Sequence, residues 1–137
     1  MDERRLEEYA ATIAARLPDW SKEAAFLGLR AGFRCEYCSR NLLTSVEDYD
    51  AWQNDHVLPR SRGGSEDLMI NGALACKTCN FIKRHTKPVW AHASKSRDEL
   101  VRLYGELIAE RRQKKQVKLD NIRDLLAQLG LQVEDPA

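Results

Sequence analysis

Cys35-Glu36-Tyr37-Cys38 and Cys76-Lys77-Thr78-Cys79 bracket the block Asn54-Asp55-His56-Val57-Leu58-Pro59-Arg60-Ser61-Arg62-Gly63-Gly64. The two CxxC pairs are separated by 37 residues, Asn71 stands five residues before Cys76, and Asn80 follows Cys79 directly. A two-residue spacer lets both sulfurs of a pair reach one ion, and two such pairs match the closed tetrahedral site of structural zinc. The alternatives are four unmodified thiols or two disulfides. Zinc here would close a loop of some forty residues around the Asp-His pair, so that pair would depend on the metal for its shape.

The chain has 137 residues and a formal charge of +1, which hides an asymmetry. Residues 35–55 carry a net charge of −4 and residues 56–97 a net of +6. A local basic stretch matters more for phosphate binding than the overall charge; on its own it would equally describe a solvated surface. No apolar run approaches the ~20 residues of a membrane span. Met1-Asp2-Glu3-Arg4-Arg5 lacks the apolar core of a signal peptide. An intracellular, cytoplasmic protein is therefore expected, and a reducing compartment favours metal over disulfides.

Outward from the centre, Leu6, Tyr9, Ile13 and Leu17 recur at helical spacing up to Pro18. Ser21 is placed to cap a second helix through about Arg30, with Gly32 beyond its end. Asp55-His56-Val57-Leu58 is a candidate strand, Ala73-Leu74-Ala75 its partner, and Gly63-Gly64 marks the turn region between them. A helix should run from Cys79 to about Arg84. Ser96 and Glu99 form a capping box for a helix bearing Leu100, Leu103, Tyr104, Leu107 and Ile108. The run Arg111 to Lys115 is expected at or beyond its last turn, where cations complement the helix dipole. Asp120 is expected to cap a separate final helix with Ile122, Leu125, Leu126 and Leu129, ended by Gly130. These stripes read first as core; a dimer or partner surface is the other reading.

The residues from Cys35 to Asn80 resemble the HNH endonucleases, specifically the zinc-bound branch with the ββα-metal fold. The resemblance covers roughly residues 33–87. It implies a small α+β protein: a ββα-metal core with a four-cysteine structural zinc over 33–87, an N-terminal helical segment 1–32 and a C-terminal helical segment 88–137. By the same resemblance, His56 is the general base, Asp55 a metal-binding carboxylate, and Asn71 the residue that holds loop and base. Asn80 stands at the last motif position in place of the more frequent histidine. Carboxylate and amide oxygens are hard ligands, so Mg²⁺ or Mn²⁺ suits Asp55 and Asn80. For a lone histidine, burial with a hydrogen-bond partner would be the default reading; inside this block catalysis is favoured.

The implied activity is metal-dependent hydrolysis of DNA, double-stranded and gripped mainly by phosphate, in a bacterial or phage setting. Alternatives are a zinc-stabilised nucleic-acid-binding module or a non-catalytic subunit of a larger complex, with homodimerisation through the helical flanks also open. Arg60, Arg62, Lys83, Arg84 and His85 are candidate nucleic-acid contacts. Some members of the family place a second helix ligand where this chain has Arg84, so His85 is one residue out of register. Trp52, Trp90 and Phe81 are read as core before base-stacking groups.

Overall fold

The computed structural model describes residues 1–132; the last five residues of the segment 88–137 lie outside the described residues. Among the described residues, six helices and two strands follow in the order α1 (Glu3–Arg16), α2 (Lys22–Ala31), α3 (Val46–Asp50), β1 (Trp52–His56), α4 (Leu68–Asn71), β2 (Gly72–Cys76), α5 (Lys77–Arg84) and α6 (Arg97–Gln128), with a 3-10 turn at Arg60–Arg62. This is a small α+β architecture. A two-stranded antiparallel sheet leads into α5, and helices flank it on both sides of the chain.

Local chemistry sets the helix ends. Asp2, Ser21 and Ser96 each accept a hydrogen bond from a backbone N–H in the first turn of α1, α2 and α6, which satisfies donors that the helix leaves orphaned. Gly32 closes α2 at φ +62°, a left-handed conformation natural to glycine. In α1 the inward stripe is Leu6, Ala10 and Ile13; Tyr9 and Leu17, expected on it, are about half exposed.

The sheet pairs Trp52 with Cys76 and His56 with Gly72. All five residues of β2 are buried, because α2 packs against it and α5 grows from its end. Its small residues, Gly72, Ala73 and Ala75, make close approach possible: a Cβ on Gly72 would come within 3.0 Å of Leu27 Cδ2 on α2 and 2.2 Å of the Leu68 carbonyl oxygen on α4. Arg30 of α2 and Arg97 of α6 both donate to the Gly72 carbonyl, at 2.6 and 3.1 Å. Arg97 also grips Glu36 at 3.0 Å. Glu36 in turn accepts from Leu74 N–H, so the first CxxC turn is fastened to β2.

Two boundaries differ from expectation. The first strand begins at Trp52 and ends at His56; Val57 and Leu58 lie outside it. Pro59 cannot continue a ladder, and the Asn71 side chain takes over the pairing at Leu58. Upstream, Gln53 and Asn54 have low strand propensity, yet Trp52 anchors the strand in an aromatic group with Trp20, Phe33 and Tyr49.

The C-terminal segment is one helix of 32 residues, not two. Asp120 does not cap: its carboxylate accepts from Gln116 one turn earlier. The run Arg111 to Lys115 therefore sits mid-helix, away from any helix end. Leu100, Tyr104 and Ile108 join the core, while Ile122 and Leu125 stay about half exposed and Leu129 more so. Ile108→Ala is expected to lower unfolding free energy by about 2–5 kcal/mol and Leu125→Ala by less than about 0.5 kcal/mol, measured by urea denaturation. Equal losses would contradict the placement of the two halves of α6.

Candidate functional site

Two sites sit at opposite ends of the short sheet. At the Cys76 end, the Sγ atoms of Cys35, Cys38, Cys76 and Cys79 lie within 4.8 Å of one another. Tetrahedral zinc with Zn–S of about 2.3 Å implies sulfurs about 3.8 Å apart, and Cys38 and Cys76 stand at 3.7 Å. None is in a disulfide. Hydrogen bonding among the thiols pulls Cys38 down to about 6 and Cys76 further, with Cys35 the main donor. The same sharing pushes Cys35 and Cys79 up. The four cannot all ionise without a cation between them, and four thiolates are a soft set that fits zinc. Cys76 is also the N-cap of α5, accepting from Cys79 N–H. Arg112 of α6 donates to Cys79 Sγ at 3.3 Å and Cys76 Sγ at 3.5 Å.

At the His56 end lies a half-open cavity of about 570 Å³, whose walls include Asp55, His56, Arg62, Asn80, Lys83, Arg84 and Tyr104. Asp55, His56 and Asn80 thus face one space although neighbours on an ideal strand point apart; His56 is the last residue of β1, where the pleat ends.

His56 is exposed. Its Nε2 lies 2.9 Å from the Glu66 carbonyl oxygen. A carbonyl can only accept, so Nε2 carries the proton and Nδ1 keeps its lone pair. Asn71, at the end of α4, is buried. Its Oδ1 accepts from Leu58 N–H, and its Nδ2 donates to the carbonyls of Leu58 and Ser65. Both ends of the loop between β1 and α4 are thereby tied to one side chain. Gly64 sits in this loop because a Cβ there would lie 1.9 Å from the Leu58 carbonyl oxygen.

Asp55 is buried. Its Oδ2 accepts from Tyr37 OH at 2.7 Å and pairs with Lys83 Nζ at 3.2 Å; Oδ1 has only the longer Lys83 contact, 3.4 Å. Lys83 also donates to the His56 carbonyl, and its ammonium lies 4.5 Å from the Tyr104 ring centroid. Burial raises the Asp55 carboxyl above its ordinary range, against the pull of Lys83 and Tyr37. Burial likewise lowers Lys83, against the pull of Asp55.

Lys83, expected to grip phosphate, is instead buried against Asp55. Arg62 reaches across to the carbonyls of Pro88 and Ala91 while lining the cavity. Arg60 pairs with Glu66 on the surface. Arg84 is exposed on the cavity wall, whereas His85 turns back to the Phe81 carbonyl, away from it. Trp52 and Trp90 pack on other aromatics, but Phe81 is 54% exposed, against the expectation of core. Tyr37, Tyr104 and Arg112 join these sites without a functional signal in the sequence. Tyr37 lies inside a CxxC spacer, Tyr104 on a helical stripe and Arg112 in a charge run, so each had an ordinary explanation.

Residues 35–86 match the family model for HNH endonuclease, just over a third of the chain. Residues 35–86 are thus similar to the HNH endonuclease domain. Asp55, His56, Arg62, Asn80, Lys83 and Arg84 of the cavity wall fall within the matched segment, as does α5; α1, α2 and α6, which supplies Tyr104 to the wall, lie outside it. The chain matches no curated protein and no solved structure.

Breaking a buried ion pair strands the remaining charge. Lys83→Met is therefore expected to cost about 3 kcal/mol of stability, read as a lower urea midpoint at neutral pH. An unchanged midpoint would contradict the buried pairing.

Proposed function

We propose that the HNH cavity hydrolyses phosphodiester bonds in DNA, with His56 Nδ1 as the general base. The observation that carries this reading is the His56 hydrogen bond to the Glu66 carbonyl, which leaves a basic nitrogen on the same cavity as Asp55 and Asn80. Histidine titrates near neutrality and can take a proton from water. The resulting hydroxide attacks phosphorus, the bond to the 3′ oxygen breaks, and a proton from solvent completes the 3′-hydroxyl, leaving a 5′-phosphate.

The donor set fits a hard divalent ion. Asp55 Oδ1 holds only a long contact to Lys83, and the Asn80 side chain has only a 3.5 Å contact from Nδ2 to Gln53, so its amide oxygen is free to ligate. Mg²⁺ takes few protein oxygens and fills its shell with water and phosphate. Asp55 and Asn80 would hold Mg²⁺ or Mn²⁺, which when bound polarises the phosphate and stabilises charge on the leaving oxygen. Tyr37 and Lys83 fix the Asp55 rotamer. Asn71 holds the loop that carries the Glu66 carbonyl, and so orients His56. Arg62 and Arg84 provide positive charge at the cavity wall. Zinc at the four-cysteine site would have no open position and would act through shape alone.

Plasmid cleavage with Mg²⁺ tests the assignment. Wild type should nick or linearise DNA, and His56→Ala should lose about 10²-fold or more of the rate. Equal cutting by both would remove His56 from the chemistry. Pairing of two copies, or docking on a larger complex, through Ile122, Leu125 and Leu129 goes with this reading. A solution mass of one chain, 15.7 kDa, at micromolar concentration would count against the pairing.

A further inference from the structure

Phe81 stands on α5 beside Asn80, with Arg84 three residues on; these two neighbours line the cavity, and Phe81 faces outward. An isolated exposed aromatic needs no explanation. This one stays 54% exposed beside an imidazole and a lysine ammonium. The His85 ring lies 4.4 Å from its centroid, and the Lys115 ammonium of α6 lies 5.4 Å from it. Arg111 and Lys118 are one turn before and one turn after Lys115 on the same face of α6. Among the described residues, Arg111, Lys115 and Lys118 make no ion pair, whereas Lys114 pairs with Glu110 and Arg112 turns to the thiolates. Seven helical steps separate Arg111 from Lys118, about 10 Å along the axis.

We propose that Phe81 and Lys115, extended by Arg111 and Lys118, form a track for an unpaired stretch of nucleic acid running out of the cavity. One base stacks on Phe81 and the adjoining phosphates lie along α6. The combination of ring and cations selects a single strand, because a paired base keeps its faces inside the duplex stack, whereas an unpaired base offers one to an aromatic. The cations supply the phosphate contact that a lone aromatic lacks. Most of this track is built by α6, outside the matched HNH segment, so it is a property of this chain's helical arm. The inference rests on the cavity handling nucleic acid.

The test uses the full chain carrying His56→Ala, a short fluorescein-labelled single strand of mixed sequence, and anisotropy titrations at several salt concentrations. Phe81→Ala should weaken binding by about 5- to 150-fold with the salt slope unchanged, and Phe81→Trp should restore it. Replacing Lys115 and Lys118 together by Ala should reduce the slope of log K against log salt by about 0.7 per residue. The track is overturned if Phe81→Ala binds within twofold of its parent or if the double lysine variant keeps the parent's slope. It is overturned equally if the parent binds duplex and no single strand. Cleavage by the wild-type chain is read separately. A chain that binds through Phe81 but never cuts keeps the track and loses the nuclease reading; a chain that cuts but ignores Phe81 and Lys115 does the reverse.

Discussion

The sulfurs of Cys35, Cys38, Cys76 and Cys79 lie within 4.8 Å of one another, a crowding that four thiolates tolerate only around a cation. The central unit is assembled around that point. The first CxxC turn, the end of β2 and the first turn of α5 meet there, and Arg112 brings α6 to the same sulfurs. A two-stranded sheet is marginal alone. Here its inner strand is buried by helices, and its end would be clamped by metal. The Arg97–Glu36 pair and the Arg30 contact to Gly72 add polar fastenings to the same strand.

The cavity at the other end of the sheet is held by hydrogen bonds more than by packing. Asn71 uses both atoms of its amide on one loop, and Asp55 is fixed between Tyr37 and Lys83. Such buried polar sets are costly when incomplete. They leave Asp55 Oδ1 with only the 3.4 Å contact from Lys83 and Asn80 with only the 3.5 Å contact from its Nδ2 to Gln53, on the cavity that His56 also lines. Zinc would therefore influence the cavity indirectly, by keeping β1, β2 and α5 in register.

Much of this was legible in the residues. The paired cysteines, their spacing and the Asp-His block pointed to the central unit, and Ser21, Gly32 and Ser96 marked helix ends that the structure places within a residue of expectation. What the sequence hid was mostly long-range. The Lys83–Asp55 pair joins residues 28 apart and the Arg97–Glu36 pair residues 61 apart, and nothing local in either segment announces its partner. The misread α6 has a local cause. Asp120 resembles a cap by type, but no glycine or proline breaks the helix there, so the aspartate simply bonds one turn back. Phe81 departs from expectation because an aromatic in a short amphipathic helix is ordinarily core, and only the placement of α6 shows which face of α5 stays open.

The HNH match and the helical arm divide the molecule's work. The matched segment contains the groups proposed for chemistry, and the arm adds a cationic face and a second tie to the sulfur cluster. Both meet at the four-cysteine site, which could hold zinc and on which the register of β1, β2 and α5 would then depend. Hydrogen–deuterium exchange on zinc-loaded protein, before and after chelation, tests this most directly. Removal of zinc should abolish protection in β1, β2 and α5 while α1 retains most of its own. Unchanged protection across residues 52–84 after complete zinc removal would contradict the central role of the cluster.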